Sequence, residues 1–495
     1  MSSQLVGRVR ALGLRLPWQQ ATEIRGYSKA MMLSLAMIIV AFSGDLFRYT
    51  IGWTGYGLIV LGLGALSVVV MRRRRPKLHL LHLPYMLVAF VSWCWLSVLW
   101  SGYQLETVAG AAIQTLTMAA ASMMAVSLGR FQFLRTFAFG MRLLVYGSLL
   151  FELGAALFAP YGVVPPTYLR TNFLQQVLGD SAPLSAQHIP GSYYWTHSEL
   201  FQGGPLQGLM GNRNLLALVA LLAIITTLAE LADGMIVRWR ATLGVLAGIG
   251  AIVWTDSATV YVTIAFVALG AALVVAGRRL ERGQRWMLYA SVGTVLVVGA
   301  VLVIVNNNAI FAMMNRSSDM SGRGTIWRAV INLGVESPVL GQGWISYWAP
   351  WLPEFQQLAI IEGVPYHQAH NAFLDVWMQT GTIGALLFAA LVFTALVRTW
   401  WLAIDLHDIP LMPRPKVNAR RAHPSYAVAA PFFLTIALTV QAMTESRLLI
   451  EGNWLLLCYL AMFAKLRSSN APLRPRQAGT VKHADSELAL DLRVD

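Results

Sequence analysis

The sequence predicts an all-α polytopic membrane protein with about twelve transmembrane helices, and three observations predict it. Of 495 residues, 57% are hydrophobic and only 12% are charged, too little polar surface to cover a water-soluble globule of this size. The apolar residues fall into runs that match a bilayer, whose hydrocarbon core takes roughly 20 residues of helix. The basic residues concentrate on alternate connections between those runs, as the positive-inside rule requires.

The runs lie at about 28–44, 51–71, 83–100, 107–128, 136–159, 205–229, 241–255, 258–277, 286–306, 371–397, 426–444 and 448–466. With the N-terminus inside, only Arg48, Arg170, Arg316, Arg323, Arg328 and Arg447 of the 37 basic residues fall on outside loops, and Arg142 and Arg213 fall within spans. Losing one span anywhere destroys this asymmetry. The seventh and eighth runs are separated only by the turn Thr255, Asp256, Ser257, and their fusion would move every later loop to the other side. Ala41 and Ser43 imitate a signal cleavage site, but cleavage there leaves the rest of the topology as it is.

The resulting organisation is a cytoplasmic N-terminal segment (1–27), a membrane domain (28–466) and a basic, polar cytoplasmic tail (467–495). Two extracytoplasmic loops are long, about 45 residues over 160–204 and about 64 over 307–370, and long loops in compact domains carry function. Both are aromatic. The first holds Tyr161, Tyr168, Tyr193, Tyr194 and Trp195, and the second Trp327, Trp344, Trp348 and Trp351, so both are expected to pack on the membrane face. A helical stretch around TIWRAVINLGV is expected to turn Ile326, Val330 and Ile331 toward the membrane.

The net charge of +14 does not mark a nucleic-acid binder, because no basic domain exists to lie along a phosphate backbone. Cys94 and Cys458, the only cysteines, sit inside apolar runs and read as core thiols, so neither a disulfide framework nor a metal site is indicated.

Chemistry-bearing residues gather in five short motifs: GLMGNRNLLA (208–217), SGRGTIWRAVI (321–331), LGQGW (340–344), HQAHNAFLDVWMQTGTIG (367–384) and TESRLLIEGNW (444–454). Their order, with the largest outside loop between the ninth and tenth spans, resembles the O-antigen ligase and polymerase superfamily, and within it the exopolysaccharide-polymerisation branch. The resemblance covers roughly residues 205–460; the first five spans match only in number and hydropathy. It implies a GT-C-like architecture in the cytoplasmic membrane with the active site on the extracytoplasmic face. It further implies a metal-independent glycosyltransferase without cofactor, which moves a glycan from a polyprenyl (undecaprenyl) pyrophosphate donor to a hydroxyl of an acceptor glycan or lipid. A flippase and a chain-length regulator are the partners expected of a polymerase.

The residues can be read against that chemistry independently. A departing pyrophosphate needs fixed positive charge, and arginine offers a permanently charged planar fork to phosphate oxygens. The attacking hydroxyl needs a proton acceptor, and histidine is largely neutral near pH 7. His370 matches the family's His-Asn motif and is the expected general base, with Asn371 beside it in the substrate site; a histidine that merely caps a helix is the bland alternative. His367 is either a neighbour on the same turn or plain loop.

Arg323, four residues before Trp327, fits the family's arginine-before-tryptophan pattern and the pyrophosphate role, with Arg328 a lesser partner pointing elsewhere on a helix. Arg213 in GNRN is expected to bind donor phosphate or to snorkel. Glu445 either orients a basic residue or sugar hydroxyl, or forms an exposed turn pair with Arg447. Arg142 is read as a snorkelling cation or one with a structural partner, and Glu152 as a satisfied polar group within the bundle or cavity, with a functional role the alternative. Gly341 and Gly343 read as turn glycines with positive φ, and Trp344 as either a sugar-stacking ring or a headgroup anchor.

One departure from the family stands out. Many ligase-type members place an arginine shortly after the serine before the eighth span, and here Ala258 follows Ser257. That favours the polymerase-like branch. A lipid or polysaccharide transporter and a non-catalytic scaffold of a synthesis complex are the alternative readings. The first is disfavoured because the polar candidates cluster at one face and no corresponding segments occur in the two halves.

Overall fold

A computed structural model describes residues 28–74, 83–171, 174, 189–305, 321–361, 364–405 and 425–469. The expected N-terminal segment 1–27, most of the tail, Arg316, and parts of both long loops and of the basic connection 398–425 lie outside the described residues. A helix occupies each of the apolar runs: α1 (Lys29–Phe42), α2 (Gly44–Arg74), α3 (Tyr85–Leu96), α4 (Gln104–Ser127), α5 (Arg130–Phe158), α6 (Arg213–Ala232), α7 (Arg238–Thr255), α8 (Ala258–Arg279), α9 (Arg285–Val305), α11 (Ala372–Asp405), α12 (Ala430–Ala442) and α13 (Glu451–Ser469), with α10 (Ser321–Gly334) inside the second long loop.

Among the described residues α2, α4, α5, α6, α8 and α11 are long and apolar enough to cross a membrane, and α1, α3 and α12 are shorter apolar helices. The all-α polytopic class is therefore borne out. Extended pairing among the described residues is slight: a two-residue antiparallel pair, Ile360–Ile361 with Val364–Pro365, within the second long loop, and an isolated bridge between Val163 and Thr196 in the first.

The seventh and eighth runs are separate helices. Asp256 adopts a left-handed conformation (φ 44) that ends α7, and Ser257 then starts α8. Asp tolerates this region better than most residues.

Helices apolar on every side are buried, and here α6 and α13 form the centre: Leu216 to Ala220 and Trp454 to Ala464 are buried throughout. Cys94 and Cys458 are free and buried, as expected. Arg142 and Glu152 have structural partners. Arg142 pairs with Glu230 at 2.5 Å and donates to Thr227 at 2.9 Å. The Glu152 carboxylate accepts from Thr196 Oγ1 and from the backbone N–H groups of Gln207 and Gly208, tying the first long loop to the GLMGNRN segment.

α11 is broken at Gly381 (φ 66). The carbonyls freed by the break accept from the LGQGW loop: Gln342 N–H donates to Met378 O at 3.0 Å and Gly343 N–H to Gln379 O at 2.8 Å. Gly341 and Gly343 have φ 76 and 113, the positive values anticipated for them. A side chain at Gly381 would come within 2.1 Å of the Val339 carbonyl oxygen, and one at Gly341 within 2.4 Å of the Gly381 nitrogen, so helix and loop backbones meet here because neither glycine carries a Cβ.

Two expectations are corrected. Ile326 and Val330 do not face a membrane; they are buried with Trp348 and Phe355 of the second long loop, Met378 of α11 and Tyr103 in a small core under that loop, while Ile331 is exposed. Trp344 is 0% exposed and packs edge-on to Phe90, so it neither stacks on a sugar nor anchors in headgroups. Amphipathic α10 had a folded loop to pack against, which periodicity alone does not reveal.

Candidate functional site

The site is assembled at the end of the bundle where α6, α8, α11 and α13 begin and α12 ends. Spacing on α10 puts Arg323 and Trp327 one turn apart on one face. Trp327 Nε1–H donates to the Ala369 carbonyl at 3.0 Å, which docks α10 directly against the residue before His370.

His370 has φ 51, the left-handed region that costs a residue with a Cβ about 1–2 kcal/mol. Such strain persists where the surroundings over-determine it, commonly at functional sites. The neighbours do so here. Asn371 Oδ1 accepts from the N–H groups of Phe373 and Leu374, capping α11. The buried Asp375 carboxylate, bonded to Trp348 Nε1 and Gln379 Nε2, also reaches the Ala369 N–H. The Asn371 side chain is thus a structural cap, and it contributes to the site by fixing the turn on which His370 stands.

Glu445 is the hub. It is 2% exposed and lies between α12 and α13, so the exposed-turn reading is corrected. Its Oε2 is 3.0 Å from His370 Nδ1; its Oε1 accepts from Asn214 Nδ2 at 2.8 Å and lies 3.4 Å from Arg323 Nη2. Burial opposes ionisation of this carboxyl, but His370, Arg323 and Arg447 together outweigh it and hold Glu445 below the ordinary carboxylate range. An ionised carboxylate can only accept, so His370 Nδ1 is the donor in this contact, and in a neutral ring with that tautomer Nε2 carries the lone pair. Gln368 Nε2, 3.4 Å from His370 Nε2, approaches that lone pair from the donor side. His367 lies outside this set, against Tyr347 at 6.3 Å between rings, and burial pushes its pKa down.

The structure therefore brings His370, Arg323 and Glu445 together. Arg213 opens α6, half-buried, next to Asn214, and it is the asparagine that reaches Glu445. Arg328 is not brought in: it is exposed and donates to the Gly324 carbonyl of its own helix at 3.3 Å, because five residues past Arg323 the helix has turned it away.

Sequence reasoning missed Asn214 and Ser257. Ser257 Oγ donates to Asn214 Oδ1 at 2.7 Å. It also missed an adjoining network of buried charge. Arg48 binds Asp45 and Glu451 and stacks on Trp53 and Tyr56, while Arg447 lies 3.6 Å from Asp45 and 3.3 Å from Glu451. This lashes the α1–α2 turn to the α12–α13 turn. The signal available was Asp45 and Arg48 three residues apart in a turn between apolar runs, but their partner Glu451 lies 403 residues from Arg48.

Comparison with known proteins locates the same region. Residues 243–389 match a family model described as O-antigen ligase. The chain is also 28% identical over 148 residues to the exopolysaccharide production protein ExoQ of Rhizobium meliloti (strain 1021). That match covers 28% of this chain and 34% of the relative's length. The matched family segment contains Ser257, Arg323, His370 and Asn371 but not Asn214 or Glu445.

Proposed function

We propose, from the premise that residues 243–389 resemble O-antigen ligases, that this chain is a membrane-embedded glycosyltransferase of cell-surface polysaccharide assembly. Its twelve helices cross the cytoplasmic membrane with both termini inside, which sets the His370 end of the bundle on the extracytoplasmic face. The donor is a glycan on undecaprenyl pyrophosphate and the acceptor is a glycan or lipid hydroxyl. The relative's name, an exopolysaccharide production protein, favours a polymerase that extends repeat units over a ligase of finished chains.

One observation carries this reading: an imidazole whose Nδ1 is engaged by a buried carboxylate that an arginine also touches. In the proposed reaction His370 Nε2 takes the proton of the acceptor hydroxyl as its oxygen attacks the anomeric carbon. The bond from that carbon to the diphosphate oxygen breaks, and the diphosphate leaves with the electron pair. Arg323, with Arg213 beside the cluster, neutralises the charge that develops on it. Glu445 stabilises the imidazolium that forms.

The test is transfer in detergent or nanodiscs from a defined undecaprenyl pyrophosphate glycan, with excess chelator present. The wild type extends the acceptor, and His370→Ala loses on the order of a hundred- to ten-thousand-fold in rate at normal protein level. Undiminished transfer by His370→Ala removes the proposal, and transfer that stops on chelation removes its metal independence.

A further inference from the structure

We infer that Asn214 and Ser257 are positioning residues for His370, the far links of a relay that runs Ser257, Asn214, Glu445, His370. The inference deepens the reading of His370 as the base and rests on it.

The relay is continuous in distance. Ser257 Oγ to Asn214 Oδ1 is 2.7 Å, Asn214 Nδ2 to Glu445 Oε1 is 2.8 Å, and Glu445 Oε2 to His370 Nδ1 is 3.0 Å. Its direction is set by chemistry. The Ser257 hydroxyl donates to the carboxamide oxygen of Asn214, which fixes the amide so that its NH2 faces Glu445. The amide donates to one carboxylate oxygen and leaves the other for the imidazole. A carboxamide turned the other way would set oxygen against oxygen beside a buried carboxylate.

Each link stands on a different element. Ser257 precedes α8, Asn214 lies in the first turn of α6, Glu445 joins α12 to α13, and His370 precedes α11. The ends of five helices are thereby set against one another by groups that are buried or half-buried.

The relay divides the charge of Glu445 among its partners. Facing His370 and Glu445 are Arg323 from α10, Arg447 from the α12–α13 turn, and the Tyr366 ring at 5.9 Å from the histidine. Removing the Asn214 donor leaves more of the carboxylate's charge to the imidazole and raises the histidine's affinity for a proton. Placing a second carboxylate there raises it further.

The experiment reads His370 without using catalysis. The full-length protein in detergent is modified with diethylpyrocarbonate across pH 5 to 9, and the peptide carrying His367 and His370 is quantified by mass spectrometry. His367, outside the relay, is the internal control. The expected result is a His370 midpoint raised by about half a unit or more in Asn214→Ala and Ser257→Ala, more in Asn214→Asp, with His367 unmoved. In transfer assays kcat then falls below neutral pH while the donor KM holds.

A His370 midpoint within 0.2 units of wild type in Asn214→Asp and Ser257→Ala overturns the relay, whatever Asn214→Ala does to folding. Shifted midpoints together with undiminished transfer by His370→Ala keep the relay and reject the histidine as base, so the two failures are distinguishable.

Discussion

His370 and Glu445 are 75 residues apart in the chain, yet His370 Nδ1 and Glu445 Oε2 lie 3.0 Å apart, with the carboxylate almost wholly removed from solvent. The contact orients the ring and, through the carboxylate that Arg323 also approaches, ties the imidazole to that guanidinium in one arrangement, and the behaviour expected of the site follows from it.

The pairing predicts a specific dependence of stability on pH. The Glu445 carboxyl titrates below its ordinary value of 4.5 in the folded state. Its stabilising contribution is therefore fully present above about 4.5 and is lost as pH falls through the lower folded value. Glu445→Gln removes a charged hydrogen-bond acceptor, which costs roughly 1.5–3 kcal/mol at neutral pH. Thermal unfolding in detergent checks this: the gap between wild type and Glu445→Gln narrows on acidification below 4.5, and a gap independent of pH contradicts it.

The two arginines of α10 separate cleanly. Arg323→Ala is expected to lower kcat by about a hundred- to a thousandfold, the loss seen when one stabilising donor is removed. Arg323→Lys restores only part of it, since an ammonium cannot reproduce the planar fork. Arg328→Ala stays within about twofold, because its side chain turns to solvent. Steady-state transfer kinetics of the three variants decide the matter, and equal losses from Arg323→Ala and Arg328→Ala would falsify the assignment.

The Arg142–Glu230 pair is structural. Arg142→Met leaves Glu230 buried without its partner and costs about 3–5 kcal/mol, whereas Arg142→Met with Glu230→Met recovers most of it. Turnover per folded molecule should be unchanged in the double variant, and melting curves with active-protein normalisation test both statements.

Gly381→Ala strains a positive φ and drives a methyl group into the Val339 carbonyl. The LGQGW loop is expected to detach from α11, seen as a lower melting temperature and faster proteolysis between residues 335 and 345. Gly293→Ala, with open space around it, is the silent control.

Much of this was legible in one dimension. The apolar runs, the turn at Asp256 and Ser257, the positive-φ glycines of LGQGW and the bases and cations of the motifs all express local rules, namely bilayer thickness, backbone sterics and residue chemistry. Tertiary structure alone decided which polar groups meet. Asn214 and Glu445 are 231 residues apart and Arg48 and Glu451 are 403 apart, and no periodicity links such pairs. Helix packing brings their ends together, and once a carboxylate is buried there it must find donors wherever the chain supplies them. Trp344 and Ile326 turned inward as well, Trp344 into the bundle core against Phe90 and Ile326 into the smaller core under the second long loop, and composition alone does not distinguish such burial from a membrane-facing surface.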